Sequence, residues 1–370
     1  MLSWKDMLKD NILRIEDLDK VLHMSPEEKQ HLIEVSKRHP MRITKYYFDL
    51  IDWSDKEDPI RKLSVPHGME LNNAGDYDTS GEATNTKMPG LQHKYSTTAL
   101  VLSTNVCYMY CRHCFRKRMV GYSTEEVNQR MAESISYIRE HTEINNVLLS
   151  GGDFFAVPNR VIEEYLKNLS AVNHLDFIRL GSRTPVVFPQ RIYLDEELLS
   201  ILKRYSAVKE IIVITQFNHP RELTEEAKKA IRALKNIGIA IRNQAVLLKG
   251  INDDPDVMAE LLSGLTAFGV HPYYVFQCRP VRFVKSHFQV PLYEGIEIIS
   301  KAKRKLNGIS KGFRYALSHP DGKIEIFGKT DSDFIFKFHQ SKNILDSDRL
   351  FMQPIHKTAT WLDESLKPIE

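Results

Sequence analysis

The chain has 370 residues, of which 42% are hydrophobic, 27% charged and 9% aromatic, a globular composition that excludes a chain disordered throughout. Its 51 Lys and Arg nearly balance 48 Asp and Glu, leaving +3, so charge gives no argument for a nucleic-acid or membrane surface. No apolar run approaches the ~20 residues of a membrane span, and four cysteines are too few for a disulfide scaffold in a chain of this length.

In chain order, Met1-Leu2-Ser3-Trp4-Lys5-Asp6 places charges where a signal peptide is apolar, which with the sparse cysteines gives a cytoplasmic expectation. Ser25-Pro26-Glu27-Glu28 reads as a capping box with Pro at the first helical position, and Pro40 closes that helix. Residues 76–90, rich in Gly, Asn, Thr and Asp, read as a connector. Short apolar runs then begin at Ala99, Val147, Phe177, Ile211, Ile239 and Tyr273. Amphipathic stretches around 124–141, 158–169, 194–206, 222–237 and 255–268 separate them at helical spacing. Six strands alternating with helices imply right-handed βαβ units and a parallel sheet, either an open barrel or a doubly wound sheet. Chemistry in such a sheet sits beyond the carboxyl ends of the strands. A helix near 293–306 precedes strand-like 312–317 and 323–327. The expected division is a helical segment and connector over 1–92, a core over 93–291 and a short α+β segment over 292–370.

The first βα loop holds Cys107-x-x-x-Cys111-x-x-Cys114. Three soft thiolates on one short loop suit an iron–sulfur cluster and leave one iron of a four-iron cluster open. Zinc with His113 as fourth ligand is the structural rival, and unligated core cysteines are the plainer one. Adjacent His113 and Cys114 close one tetrahedral site poorly, and no second ligand pair exists elsewhere. After the next strand, Ser150-Gly151-Gly152-Asp153 is either a tight turn or a place where backbone approaches a ligand closely. Gly322-Lys323-Ile324-Glu325-Ile326-Phe327-Gly328-Lys329-Thr330 imitates a phosphate loop, but its glycines are one residue too far apart and its interior is a β-branched strand.

The cysteine spacing, with Tyr110 just before the second Cys, resembles the signature of radical S-adenosylmethionine enzymes. The longer run Tyr108-Met109-Tyr110-Cys111-Arg112-His113-Cys114-Phe115-Arg116-Lys117-Arg118 is similar to the lysine 2,3-aminomutase branch. So are Arg42-Ile43-Thr44-Lys45-Tyr46-Tyr47, Pro89-Gly90-Leu91-Gln92-His93-Lys94-Tyr95, Leu148 to Asp153, Arg179 to Val187, Phe217-Asn218-His219-Pro220 and Asn243 to Leu248. The resemblance spans roughly residues 5–330. It implies an open partial (β/α)6 barrel of the radical S-adenosylmethionine type, a 4Fe–4S cluster on Cys107, Cys111 and Cys114, and S-adenosylmethionine on its open iron. Ser150, Gly151, Gly152 and Asp153 would hold the methionine end, Asp153 facing its ammonium, with Gln244 and His113 nearby. Arg116 matches a clamp for a substrate carboxylate, which suits a planar two-pronged donor; the plain alternative is one charge in a solvated basic run.

Three departures redirect the expectation. The glycine run that ends in the family's pyridoxal lysine is missing, and Lys323, the one weak candidate, sits at the start of a hairpin strand and reads as a surface lysine. Lys94 and Thr98 stand where relatives place two arginines on the phosphate side. Gln277-Cys278-Arg279 has a guanidinium where a lysine-specific enzyme has a carboxylate, which repels lysine and attracts an anion unless Arg279 turns to solvent. Asp254 replaces a metal-binding Cys of some relatives, so structural zinc is not expected and Cys278 reads as a small buried hydrophobe.

The expectation is therefore a radical S-adenosylmethionine enzyme (an aminomutase-like isomerase, epimerase or dehydrogenase) acting on a small anionic substrate, without pyridoxal phosphate. The resemblance also implies a flavodoxin or ferredoxin as electron donor and a homo-oligomer; no membrane partner is expected, and the balanced charge gives no strong nucleic-acid signal while leaving a protein or RNA substrate open. Two alternatives stand beside it: a pyridoxal phosphate-dependent 2,3-aminomutase using Lys323, and an iron–sulfur redox sensor.

Overall fold

The structure is a computed structural model and describes residues 3–370. Among these, twelve strands join in one sheet whose spatial order is their chain order. β1 (Thr86–Met88), β2 (Leu91–Tyr95) and β3 (Thr98–Thr104) pair antiparallel. From β3 the sheet turns parallel through β4 (Asn146–Gly151), β5 (Phe177–Gly181), β6 (Glu210–Thr215), β7 (Ala240–Leu247) and β8 (His271–Gln277). These are the six expected strands. β9 (Arg314–His319) then pairs parallel with β8, adding a seventh, and β10 (Gly322–Lys329), β11 (Asp333–Ser341) and β12 (Leu350–Pro354) continue antiparallel. β1 and β12 are not joined, so the barrel is open. The sheet runs across positions 92 and 291, so the N- and C-terminal segments contribute strands to the layer that holds the core.

The crossovers are helices α1 (Met131–Glu140), α2 (Asn159–Ser170), α3 (Glu196–Ser206), α4 (Glu225–Asn236), α5 (Pro255–Phe268) and α6 (Leu292–Lys305). Their starts follow from local chemistry. Asp195, Thr224 and Asp254 accept hydrogen bonds from the first-turn amides of α3, α4 and α5. Each lays an apolar stripe on the sheet, as Ile162, Leu166 and Leu169 do in α2. The capping box at Ser25 is present and starts the helix Pro26–Arg38. α1 begins at Met131 rather than near 124, because Asn128 instead ties its amide to the Leu102 carbonyl at 2.7 Å. The connector over 76–90 holds more structure than its composition suggests, including the short helix Glu82–Asn85.

Along β5 and β7 the side chains facing the helices are buried, whereas alternate ones, Arg179 and Gln244 among them, are only half-buried. The concave face of the sheet therefore lines an interior that keeps partial exposure, which sets the position of the site.

Candidate active site

Cys107, Cys111 and Cys114 lie in the loop after β3, all free and half-buried. Burial, with the neighbouring thiols adding to it, pushes the Cys114 thiol up to about 11 and Cys107 well above its usual range. Among the described residues no three His, Cys, Asp or Glu side chains converge as ligands of one metal ion would; cluster thiolates need not, since each binds a different iron. The loop is anchored from below. The Arg112 guanidinium and Lys117 ammonium both bind Glu70, at 2.6 Å each, in a triad with almost no exposure. The two cations hold the Glu70 carboxyl down at about 2 although its burial alone would raise it.

The glycine motif meets this loop directly. A Cβ on Gly151 would lie 2.3 Å from the Thr104 carbonyl oxygen, and one on Gly152 2.3 Å from that of Val106. The Gly152 and Asp153 amides donate to those same carbonyls at 2.5 and 2.8 Å. The glycines thus let β4 close against the cysteine loop; this close approach is to backbone. Asp153 is buried, its carboxylate accepting from Ser182 Oγ at 2.5 Å and from the Arg183 amide at 2.8 Å. Burial raises its pKa despite these bonds. His113 is buried beside Asn218 and Phe288, with Nδ1 lacking a partner among the described residues. Gln244 stands half-buried on the concave face of β7. The cysteine loop and the glycine turn meet at the carboxyl ends of β3 and β4, while His113 sits beside Asn218 past the end of β6; three free thiols on one loop and a buried ring nitrogen without a partner among the described residues fit a cluster and a polar cosubstrate.

Arg116 is buried, so the solvated-run alternative fails. Its Nε and Nη2 donate to Glu82 Oε1 at 3.1 and 2.9 Å, and its Nη1 lies 3.4 Å from Ser150 Oγ. Glu82 also binds Arg118 at 2.6 Å. Despite burial, the two guanidinia hold the Glu82 carboxyl at about 2. Arg279 likewise does not turn to solvent. Its guanidinium packs on the Phe115 ring at 4.2 Å, where Arg116 packs at 4.6 Å, and Nη2 donates to Ser318 Oγ at 2.7 Å. Desolvation brings Arg279 down to about 10, with Glu82 opposing the shift. Cys278 is buried as expected, its thiol pushed up to about 12 by desolvation.

Lys323 corrects the expectation of a surface lysine. Ile324 and Ile326 of β10 are buried in the core, so strand alternation turns Lys323 the other way. Because β9 has joined β8, that other way is the interior. Lys323 Nζ lies 5.2 and 5.5 Å from the Tyr95 and Tyr274 rings and donates to Gln340 Oε1 at 2.8 Å. Desolvation first, then the charges of Arg179, Lys94 and Arg279, lower its pKa to about 7. Lys94 falls to about 7 for the same reason, desolvation, with Arg279 adding to it. Arg116, Arg279, Lys94, Lys323 and Arg179 thus gather around the interior with Glu82 as the carboxylate facing them.

Sequence reading gave no role to Glu70, Glu82 or Arg183. Arg183 Nη1 lies 2.7 Å from Cys111 Sγ, and Nη2 lies 2.5 Å from Glu222. An acid in a polar connector (Glu82) and a charge beside a strand end (Arg183) are the only signals in the sequence, and neither identifies burial or a partner.

Residues 101–262 match the family model described as the Radical SAM superfamily. The L-lysine 2,3-aminomutase of Clostridium subterminale is 40% identical over 309 residues, covering 83% of this chain and 73% of that protein. The glutamate 2,3-aminomutase of Clostridioides difficile is 37% identical over 310 residues, 83% and 72% of the two chains. The L-lysine 2,3-aminomutase of Methanococcus maripaludis is 37% identical over 333 residues, 86% and 74%. No described helix is long and apolar enough to cross a membrane.

Proposed function

Since the chain belongs to the lysine 2,3-aminomutase family of radical S-adenosylmethionine enzymes, we propose that it abstracts hydrogen from a small amino acid bearing a second anionic group. The observation that carries this reading is Arg279. It occupies the interior beside Arg116 on the same Phe115 ring, where an ammonium-bearing side chain would be repelled and a carboxylate attracted. The name of the Clostridioides difficile relative, glutamate 2,3-aminomutase, agrees with an acidic substrate.

In this reading Cys107, Cys111 and Cys114 hold three irons of a 4Fe–4S cluster, and Ser150, Gly151, Gly152, Asp153, Gln244 and His113 surround the cosubstrate. When bound, cluster and S-adenosylmethionine supply a 5′-deoxyadenosyl radical by one-electron reduction, the electron coming from a flavodoxin- or ferredoxin-type donor. The chain's own contribution is orientation and dryness. Glu82 fixes Arg116 through Nε and Nη2, which leaves Nη1 aimed at Ser150 and the interior. The segments at Asp76 and 280–282 are tied to each other through the Asp76 amide to the Pro280 carbonyl and the Arg282 amide to the Asp76 carbonyl, both at 3.0 Å.

One observation favours a second reading, a pyridoxal phosphate-dependent 2,3-aminomutase. Lys323 faces the interior between Tyr95 and Tyr274 with a lowered pKa, as an amine that bonds to a carbonyl requires. Lys323 would hold the pyridoxal group, and Lys94, Arg179 and Arg279 are the cations available to its phosphate. That group would delocalise an unpaired electron during an amino shift. The altered residues Lys94 and Thr98 and the shortened loop before Lys323 weigh against it.

The test uses anaerobically reconstituted protein, chemically reduced and offered S-adenosylmethionine with acidic or basic amino acids. Formation of 5′-deoxyadenosine stimulated by acidic ones is expected; stimulation by lysine alone would overturn the substrate reading. Borohydride reduction after incubation with pyridoxal phosphate, followed by mass spectrometry, decides between the two readings. A stoichiometric adduct on Lys323 selects the second, and no adduct selects the first.

A further inference from the structure

Arg183 follows β5, remote in sequence from the cysteine loop, and every nitrogen of its guanidinium is committed. Nε donates to the Gln216 carbonyl at 3.0 Å, Nη1 to Cys111 Sγ at 2.7 Å, and Nη2 to Glu222 Oε1 at 2.5 Å. Glu222 is itself fully buried and fixed: it accepts from Tyr47 Oη at 2.6 Å and from the Asn218 and His219 amides at 2.5 and 3.0 Å. The Tyr47 ring packs on the guanidinium at 5.7 Å. The backbone is held too, since the Arg183 amide donates to Asp153 at 2.8 Å. A buried cation so placed has one purpose-specific contact, the sulfur; its other bonds hold it there.

We infer that Arg183 donates a charge-assisted hydrogen bond to the Cys111 cluster thiolate and thereby raises the reduction potential of the cluster. This rests on the cluster reading given above. Hydrogen bonds to ligand sulfur disperse the extra negative charge that reduction brings and so favour the reduced form. Glu222 neutralises much of the guanidinium charge, which leaves an oriented donor rather than a free cation beside the sulfur. One electron enters the cluster from the reductant; no bond breaks, and Arg183 keeps its proton. Arg183 is thus a positioning and tuning residue, acting through Cys111.

The test is an EPR-monitored redox titration of the reconstituted protein without S-adenosylmethionine, comparing wild type with Arg183→Gln and Arg183→Lys at matched iron content. Loss of a hydrogen bond of this class in Arg183→Gln should lower the reduction equilibrium constant about tenfold, equivalent to a shift of about 59 mV to more negative potential for a one-electron couple. Arg183→Lys keeps the charge and one donor and should fall between. An unchanged potential in Arg183→Gln with a full cluster overturns the inference. If Arg183→Gln does not load iron, Arg183→Lys decides in the same way. A difference that emerges only when S-adenosylmethionine is present also overturns it, because Arg183 would then be a cosubstrate ligand. Wild type that binds no iron would overturn the cluster reading itself, an outcome visible in the iron analysis before any titration.

Discussion

Lys323 offers the sharpest departure from ordinary surface chemistry. With its pKa near 7 against the usual 10.5, about half of the Lys323 amine is neutral at pH 7, whereas an ordinary lysine is neutral in about 3 parts in 10,000. That is a gain of roughly a thousandfold in reactive amine. Lower basicity takes part of it back: with a Brønsted coefficient of about 0.45, of the size known for thiols, 3.5 pKa units cost roughly 40-fold and leave a net rate gain of roughly thirtyfold. Cyanate is small enough to probe this, and peptide mass spectrometry reads carbamylation at each lysine. At pH 7 Lys323 should be modified ahead of exposed lysines such as Lys311, and its rate should level off above pH 7 while theirs keep rising. A rate at Lys323 that matches the exposed lysines, or that climbs through pH 10, would refute the desolvated amine. Stability gives the same sign independently. Between pH 7 and 10.5 the unfolded chain binds more protons at this lysine than the folded chain, so its contribution to stability rises with pH. Lys323→Met should remove that slope in urea unfolding.

Glu70→Gln breaks the buried triad with Arg112 and Lys117 and should cost about 3–5 kcal/mol, because it leaves buried cations uncompensated; a urea midpoint equal to wild type would contradict this. Gly151→Ala places a methyl 2.3 Å from the Thr104 carbonyl at φ +110°, so iron loading after reconstitution should fall sharply, and normal loading would argue that the loop yields easily. Glu82 has a folded pKa of about 2 against an ordinary 4.5, so its stabilisation is present above pH 4.5 and is lost as pH falls towards 2. Glu82→Gln should flatten stability over that window. Arg279→Asp should exchange preference for acidic amino acids for preference for lysine in 5′-deoxyadenosine formation, while Arg116→Lys should raise KM for either.

What the sequence revealed divides by distance along the chain. The cysteine loop, the capping box and the six core strands are written in local spacing and periodicity, and each stands where it was expected. The glycine motif was legible as a close approach, though what it approaches, the Thr104 and Val106 carbonyls, depends on how β4 seats beside β3. Lys323 was misread because its direction depends on β9 joining β8, a pairing no local pattern announces. Glu82 is 34 residues from Arg116, and Arg183 is 72 from Cys111; a residue type cannot name a partner at that range. The polar connector hid its one buried acid for a simpler reason, that its composition is that of a loop.

The central claim, radical chemistry on an amino acid with two anionic groups, is tested most directly by one deuterium experiment. Reconstituted, reduced enzyme is given S-adenosylmethionine and uniformly deuterated acidic amino acids, and the 5′-deoxyadenosine formed is weighed by mass spectrometry. Deuterium in its 5′ methyl group, dependent on Cys107, Cys111 and Cys114, is the expected result. Deuterium arriving only from labelled lysine, or 5′-deoxyadenosine that forms without any label from either, would contradict it.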